Sequence, residues 1–79
     1  MPEIFREYGY RFYFYSDDHL PIHIHVSYGD AEAKFNVLGS KITLIVNYGL
    51  KSNELRVAKR LINKKTDLII RCWIEYFGK

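Results

Sequence analysis

The residue pattern of this chain predicts an α+β fold: an antiparallel sheet of four or five strands followed by two C-terminal helices packed on one face. Three observations carry that expectation. Hydrophobic residues alternate with period two over much of the first half, glycine-bearing turns divide that half into short runs, and the period lengthens to the helical one after Ser52. With 79 residues the chain makes one domain, spanning residues 1–79, and is too short for two.

Ile4-Phe5-Arg6 offers a short strand ahead of Tyr8-Gly9. The aromatic run Tyr10–Tyr15 has high strand propensity, with Tyr10, Phe12 and Phe14 on one face and Tyr13 and Tyr15 on the other. Rings on both faces imply core packing on one side and a dimer or partner surface on the other. Ile22–Val26 alternates strictly, so Ile22, Ile24 and Val26 point one way and His23 and His25 the other. Tyr28-Gly29-Asp30 is a hairpin turn into Ala31–Val37, which alternates as cleanly. Leu38-Gly39-Ser40-Lys41 is the next turn. Ile42–Val46 after it has no polar face, which predicts a central strand or one covered on both sides.

The first helix is expected to open at Ser52 as N-cap, with Glu54 near its positive end and Leu55, Ala58, Leu61 and Ile62 on its buried stripe. Thr66-Asp67 reads as a second cap, opening an apolar helix over Leu68–Phe77. A helix so apolar is either the central buried element or meets another chain. Cys72, embedded in it, reads as a small buried residue and not a nucleophile.

Composition removes several function classes. No apolar run approaches the roughly 18 residues of a membrane helix, and the acid-containing start, Met1 to Glu7, has no leader core. One cysteine permits no internal disulfide and fits a reducing, cytoplasmic setting. Thirteen aromatic residues (seven Tyr, five Phe, one Trp) are too many for a solvated coil. No phosphate-binding glycine loop, paired-cysteine metal motif or serine elbow is present, and the sequence calls for no cofactor. The net charge of +3 is uneven: residues 1–40 carry three cations and six anions, residues 41–79 nine cations and three anions. Such polarity steers an acidic partner toward one face, and also arises by chance when a lysine-rich helix follows a sheet.

All three histidines lie within Asp18-His19-Leu20-Pro21-Ile22-His23-Ile24-His25-Val26. On a strand, His23 and His25 stand side by side, and Asp17 or Asp18 is near enough in sequence to orient an imidazole. Three uses fit. A His-x-His pair on a strand can chelate a metal, although the sequence offers no clear closing ligand unless Glu32 or Asp30 on the adjoining strand reaches it. Two imidazoles can serve as acid and base, as in metal-free RNA cleavage. They can also contact a phosphate or a protein. The structural alternative is that hydrogen bonds order them and they merely shape the sheet surface.

The string of Asp18, His19, Pro21, His23, His25 and Val26 resembles the D-H-x-P-x-H-x-H-V motif of the bacterial domain-of-unknown-function family numbered four-one-six-zero. Met1-Pro2-Glu3-Ile4, Gly9 before an aromatic strand, and Tyr28-Gly29 with Ala33 extend the resemblance over residues 1–37. Beyond them only the helical character and Trp73 match. Leu20 departs from the family's more usual polar residue or proline. The resemblance implies a small bacterial protein encoded beside a cognate small protein, in a toxin–antitoxin-type pair.

A second candidate surface is basic. Arg56, Arg60 and Lys64 repeat every four residues with Lys59 beside them, a stripe able to follow a phosphate backbone while tyrosines stack on unpaired bases. It is equally the solvated face of an amphipathic helix. Two functions of different class follow. One is a toxin acting on RNA, with His23 and His25 as acid and base, His19 and Asp18 positioning, and Arg56, Lys59, Arg60 and Lys64 holding RNA. The other is a non-catalytic interaction module in which the histidines are structural. A domain this small buries only roughly 60% of its unfolded surface, so homo-oligomerisation or binding to the cognate protein is expected in either case.

Overall fold

The computed structural model describes residues 2–78. Met1, the first residue of the resemblance, and Lys79 lie outside them. Five strands, β1 (Glu3–Glu7), β2 (Tyr10–Tyr13), β3 (His23–Tyr28), β4 (Ala31–Leu38) and β5 (Lys41–Tyr48), precede helices α1 (Ser52–Lys64) and α2 (Thr66–Phe77). The sheet is an antiparallel meander in the order β1-β2-β3-β4-β5, as the alternation and turns predict. Tight turns connect its strands except between β2 and β3. Tyr8 and Gly9 both take positive φ, 54° and 83°, the backbone of a two-residue turn that matches strand twist.

Pairing sorts the side chains into two faces. Phe12 lies opposite Val26 and Val26 opposite Ala33, while Ile24 faces Phe35 and Val37 faces Ile42. These residues, with Phe14, form one buried core with Ala58, Leu61 and Ile62 of α1 and Ile69 and Trp73 of α2. Helical spacing thus delivers two apolar stripes to the same sheet face. The opposite face carries Tyr13, His25, Lys34 and Val46 in one row, with His23 and Asn36 in another.

Several expectations need correction. Strand β2 stops at Tyr13: Phe14 turns into the core, its N–H donating to the Pro2 carbonyl at 3.0 Å. Ile22 precedes β3 instead of opening it. β5 is an edge strand, not a central one. Its apolar run arises partly because Ile45 sits at a bulge opposite Lys34 and Phe35, and Leu44 and Ile45 remain 41% and 45% exposed. The N-cap of α1 is Lys51, whose N–H donates to the Glu54 carboxylate at 2.8 Å, so the acid closes the helix start one residue earlier than Ser52. Thr66 caps nothing ahead of it: its hydroxyl donates back to the Ile62 and Asn63 carbonyls that end α1. Helix α2 buries Ile69 and Trp73 fully but leaves Ile74 half-exposed, and Cys72 is only partly buried.

Candidate functional site

The nine-residue connection from Phe14 to Ile22 builds the site. Its first turn is closed twice: the Asp18 N–H donates to the Tyr15 carbonyl at 3.1 Å, and the Tyr15 N–H donates to Asp18 Oδ2 at 2.9 Å. This reciprocal turn aims the Asp18 carboxylate at the open face of the sheet, where strand pleat has set His23 and His25 side by side. His23 Nε2 lies 3.0 Å from Asp18 Oδ1, and His25 Nε2 lies 3.2 Å from Oδ2 and 3.4 Å from Oδ1. The other nitrogen of His23, Nδ1, donates to the Pro21 carbonyl at 2.9 Å. Both histidines are 7% exposed, and the His23 ring packs edge-on against Trp73 at 5.2 Å.

A second carboxylate backs the first. Glu32, on β4, accepts hydrogen bonds from the hydroxyls of Tyr13 (2.7 Å) and Tyr15 (2.5 Å), and its Oε2 is 3.9 Å from His25 Nδ1. The Tyr13 ring stacks on His25, and the Tyr15 ring lies tilted against it at 4.1 Å between centroids. The outward tyrosines therefore hold an acid and an imidazole in place, a role the sequence reading gave to a partner surface.

Burial dominates the electrostatics and is partly offset. It pushes the His25 pKa below its ordinary value, with the Asp18 charge pulling the other way, so the ring is neutral at pH 7. Burial raises Asp18, but hydrogen bonds from the Tyr15 N–H and from His23 outweigh it and hold the carboxyl below its usual range. Glu32 follows the same pattern: burial raises it and the two tyrosine hydroxyls bring it lower. The tyrosines are in turn raised, Tyr13 mainly by burial and Tyr15 mainly by its bond to Glu32.

These shifts fix the direction of a pH response. A group whose pKa is lower folded than unfolded contributes stability above its ordinary value and loses it as pH falls. In chelator-containing buffer, urea unfolding should show stability declining as pH drops below the ordinary histidine value of 6.5, through His25. A second decline should follow below the ordinary values of 4.5 for Glu32 and 3.8 for Asp18. His25→Gln should abolish the first decline and leave the second. A flat profile between pH 7 and 5 would contradict the placement of His25.

Two shallow clefts open beside the cluster. One is lined by Tyr15, His25, Glu32, Lys34 and Tyr48; the other by Asp18, His19, Pro21, His23, Lys34 and Asn36, among others. His19 is exposed on the rim of the second and makes none of the cluster's contacts. Asp30 stays exposed at the β3–β4 turn. The basic residues lie elsewhere. Arg56, Lys59 and Arg60 border a hollow with Ser40 and Ile42, and Arg60 and Lys64 border another with Tyr8, Tyr10 and Tyr28. Lys64 also pairs with Glu7 at 3.3 Å. Neither hollow shares a residue with the clefts beside the histidines. Sequence reasoning did not single out Lys34, which borders both of those clefts. Its signal was faint: it is a lone cation on an alternating strand, placed opposite His25 by the register.

Among the described residues no helix is long and apolar enough to cross a membrane. No curated protein and no solved structure matches the chain. A family model does match, over residues 9–74, and its span runs from the turn before β2 through the histidine cluster and α1 into α2, ending one residue past Trp73. By that match the chain belongs to the family described as a domain of unknown function (DUF4160).

Proposed function

We propose that this protein is the interaction member of a bacterial toxin–antitoxin-type pair, acting in the cytoplasm by adding its β5 edge to a sheet of its cognate protein. The supporting observation is the asymmetry of the two sheet edges. β1 is blunted by charge, with Glu3 bound to Arg6 at 3.0 Å and to Arg11 at 3.1 Å. β5 runs for eight residues with Lys41 as its one charged side chain and with Leu44, Ile45 and Tyr48 exposed. An unpaired apolar edge of this length is a template for strand addition, which natural proteins ordinarily guard. In this reading the histidines are structural and fasten the Phe14–Ile22 connection to the sheet.

The rival reading, a toxin acting on RNA through His23 and His25, draws support from Arg60 and Lys64 beside the stacked rings of Tyr10 and Tyr28, a pairing of cations and aromatics suited to unpaired bases. Expression alone and with the neighbouring gene separates the two. The interaction reading expects a harmless protein that co-purifies with its neighbour and is released by Ile45→Lys, with the isolated variant still folded. Growth inhibition by this chain alone, relieved by the neighbour and lost in a His23→Ala/His25→Ala variant, would establish the toxin instead. Self-association through β5 without capture of the neighbour would also overturn the proposal.

A further inference from the structure

Independently of that reading, the geometry points to a divalent transition-metal site of the zinc class formed by Asp18, His23 Nε2 and His25 Nε2. The ligand atoms of these three residues all lie within 4.8 Å of one another. Zinc bonds of about 2.0–2.2 Å in a tetrahedron place neighbouring ligand atoms about 3.3–3.5 Å apart. The distances from Asp18 oxygens to the two imidazole nitrogens are 3.0, 3.2 and 3.4 Å, close to that spacing, and the two nitrogens lie within 4.8 Å of each other.

Hydrogen-bond accounting at His23 supplies the second reason. The Pro21 carbonyl 2.9 Å from Nδ1 can only accept, so Nδ1 carries a proton. A neutral ring then directs the lone pair of Nε2 at a carboxylate oxygen 3.0 Å away, another acceptor. Two acceptors facing each other require something positive between them. A metal ion meets that need and reproduces the usual arrangement of a histidine ligand: one nitrogen on the metal, and the other donating to a backbone carbonyl. His25 shows a looser version, with Nε2 toward Asp18 and Nδ1 toward the Glu32 carboxylate that Tyr13 and Tyr15 hold in place. A proton on His23 Nε2 fills the same gap as an ion pair with Asp18, and a metal ion binds there by displacing it.

The donor set selects the metal class. Two imidazoles and one carboxylate suit zinc, cobalt, nickel or iron(II), and disfavour calcium or magnesium, which take oxygen ligands. Three protein ligands leave a position open on the side of the cleft lined by His19, Lys34 and Asn36, where water or an anionic group completes the shell. Strand pleat brings the two histidines together, whereas Asp18 reaches them through the Tyr15–Asp18 turn.

The test is titration of chelator-treated, untagged protein with zinc chloride by calorimetry, and with cobalt(II) by visible absorption. The expected result is one ion per chain with cobalt bands of a four- or five-coordinate N/O site, and affinity at least about a hundredfold weaker in Asp18→Asn and in His25→Gln. Should those variants fail to fold, histidine-ring nitrogen spectra of the unmodified protein decide. Zinc should shift Nε2 of His23 and His25 while Nδ1 of His23 keeps its proton. No uptake by the unmodified protein, uptake unchanged in folded Asp18→Asn, or ring nitrogens unmoved at saturating zinc would each overturn the assignment.

Discussion

Trp73→Ala is expected to unfold the domain, or nearly so, at room temperature. Trp73 is the largest fully buried side chain, and it joins α2 to the start of the sheet and to the site connection. Its ring meets Phe14 edge-on at 5.2 Å, Phe77 at 4.4 Å and His23 at 5.2 Å. Truncating a buried tryptophan costs about 3–5 kcal/mol. A chain of this length holds a total of about 4–12 kcal/mol, so the loss is a large fraction of the whole. Among the described residues the Trp73 Nε1–H finds no acceptor, so losing that orphaned donor offsets part of the cost in any variant that lacks it. Trp73→Phe, which keeps an aromatic wedge and removes the donor, should cost at most about half as much as the alanine variant. Urea denaturation followed by circular dichroism checks both. Equal losses for the two variants would mean that the ring contacts matter less than their geometry suggests.

Asp18→Ala should be the next most damaging change, through the site and not the core. The carboxylate holds the Tyr15 turn, faces both buried imidazoles and is itself nearly buried. Its removal deprives His23 and His25 of their shared anion and frees the connection that covers this end of the sheet. Hydrogen bonds to a charged group are each worth about 1.5–3 kcal/mol, so a loss of about 2–4 kcal/mol is expected for the set, whose members are not additive. Asp17→Ala, one residue away on an exposed position, is the control and should cost less than about 0.5 kcal/mol. The loss at Asp18 should also shrink below the pH at which its carboxyl protonates, since the unmodified protein then lacks the same anion. A loss that persists undiminished in acid would assign Asp18 a packing role only.

The pairing of His23 with His25 was legible because it depends on local geometry alone. A residue and its second neighbour on any strand share a face, whatever the strand packs against. The same reasoning placed Tyr10, Phe12 and Phe14 together in the core, and it succeeded even though β2 ends before Phe14. It failed at Ile42–Val46. A continuous apolar run looks alike whether a strand is buried on both faces or lies at an edge around a bulge, and only strand order separates these cases. The cap readings at Ser52 and Thr66 failed for a related reason: Lys51 takes the cap position with Glu54, which does sit in the first turn, and Thr66 donates back to α1, as the path of the chain at each junction dictates.

The candidate site divides the same way. Sequence determined that two imidazoles would stand together on the uncovered face of an antiparallel sheet, and that helical stripes would cover the other. It also set a basic helix apart from an acidic sheet. Only the tertiary structure decided that Asp18 closes the cluster, that the Pro21 carbonyl fixes the His23 tautomer, and that Glu32 gathers both tyrosine hydroxyls. It alone put the arginine–lysine stripe in hollows separate from the histidines. Period and propensity act over a few residues of one chain segment. Which carboxylate meets which ring depends instead on the path of a connection with no period of its own and on the register between strands, and those are settled only when the whole sheet packs.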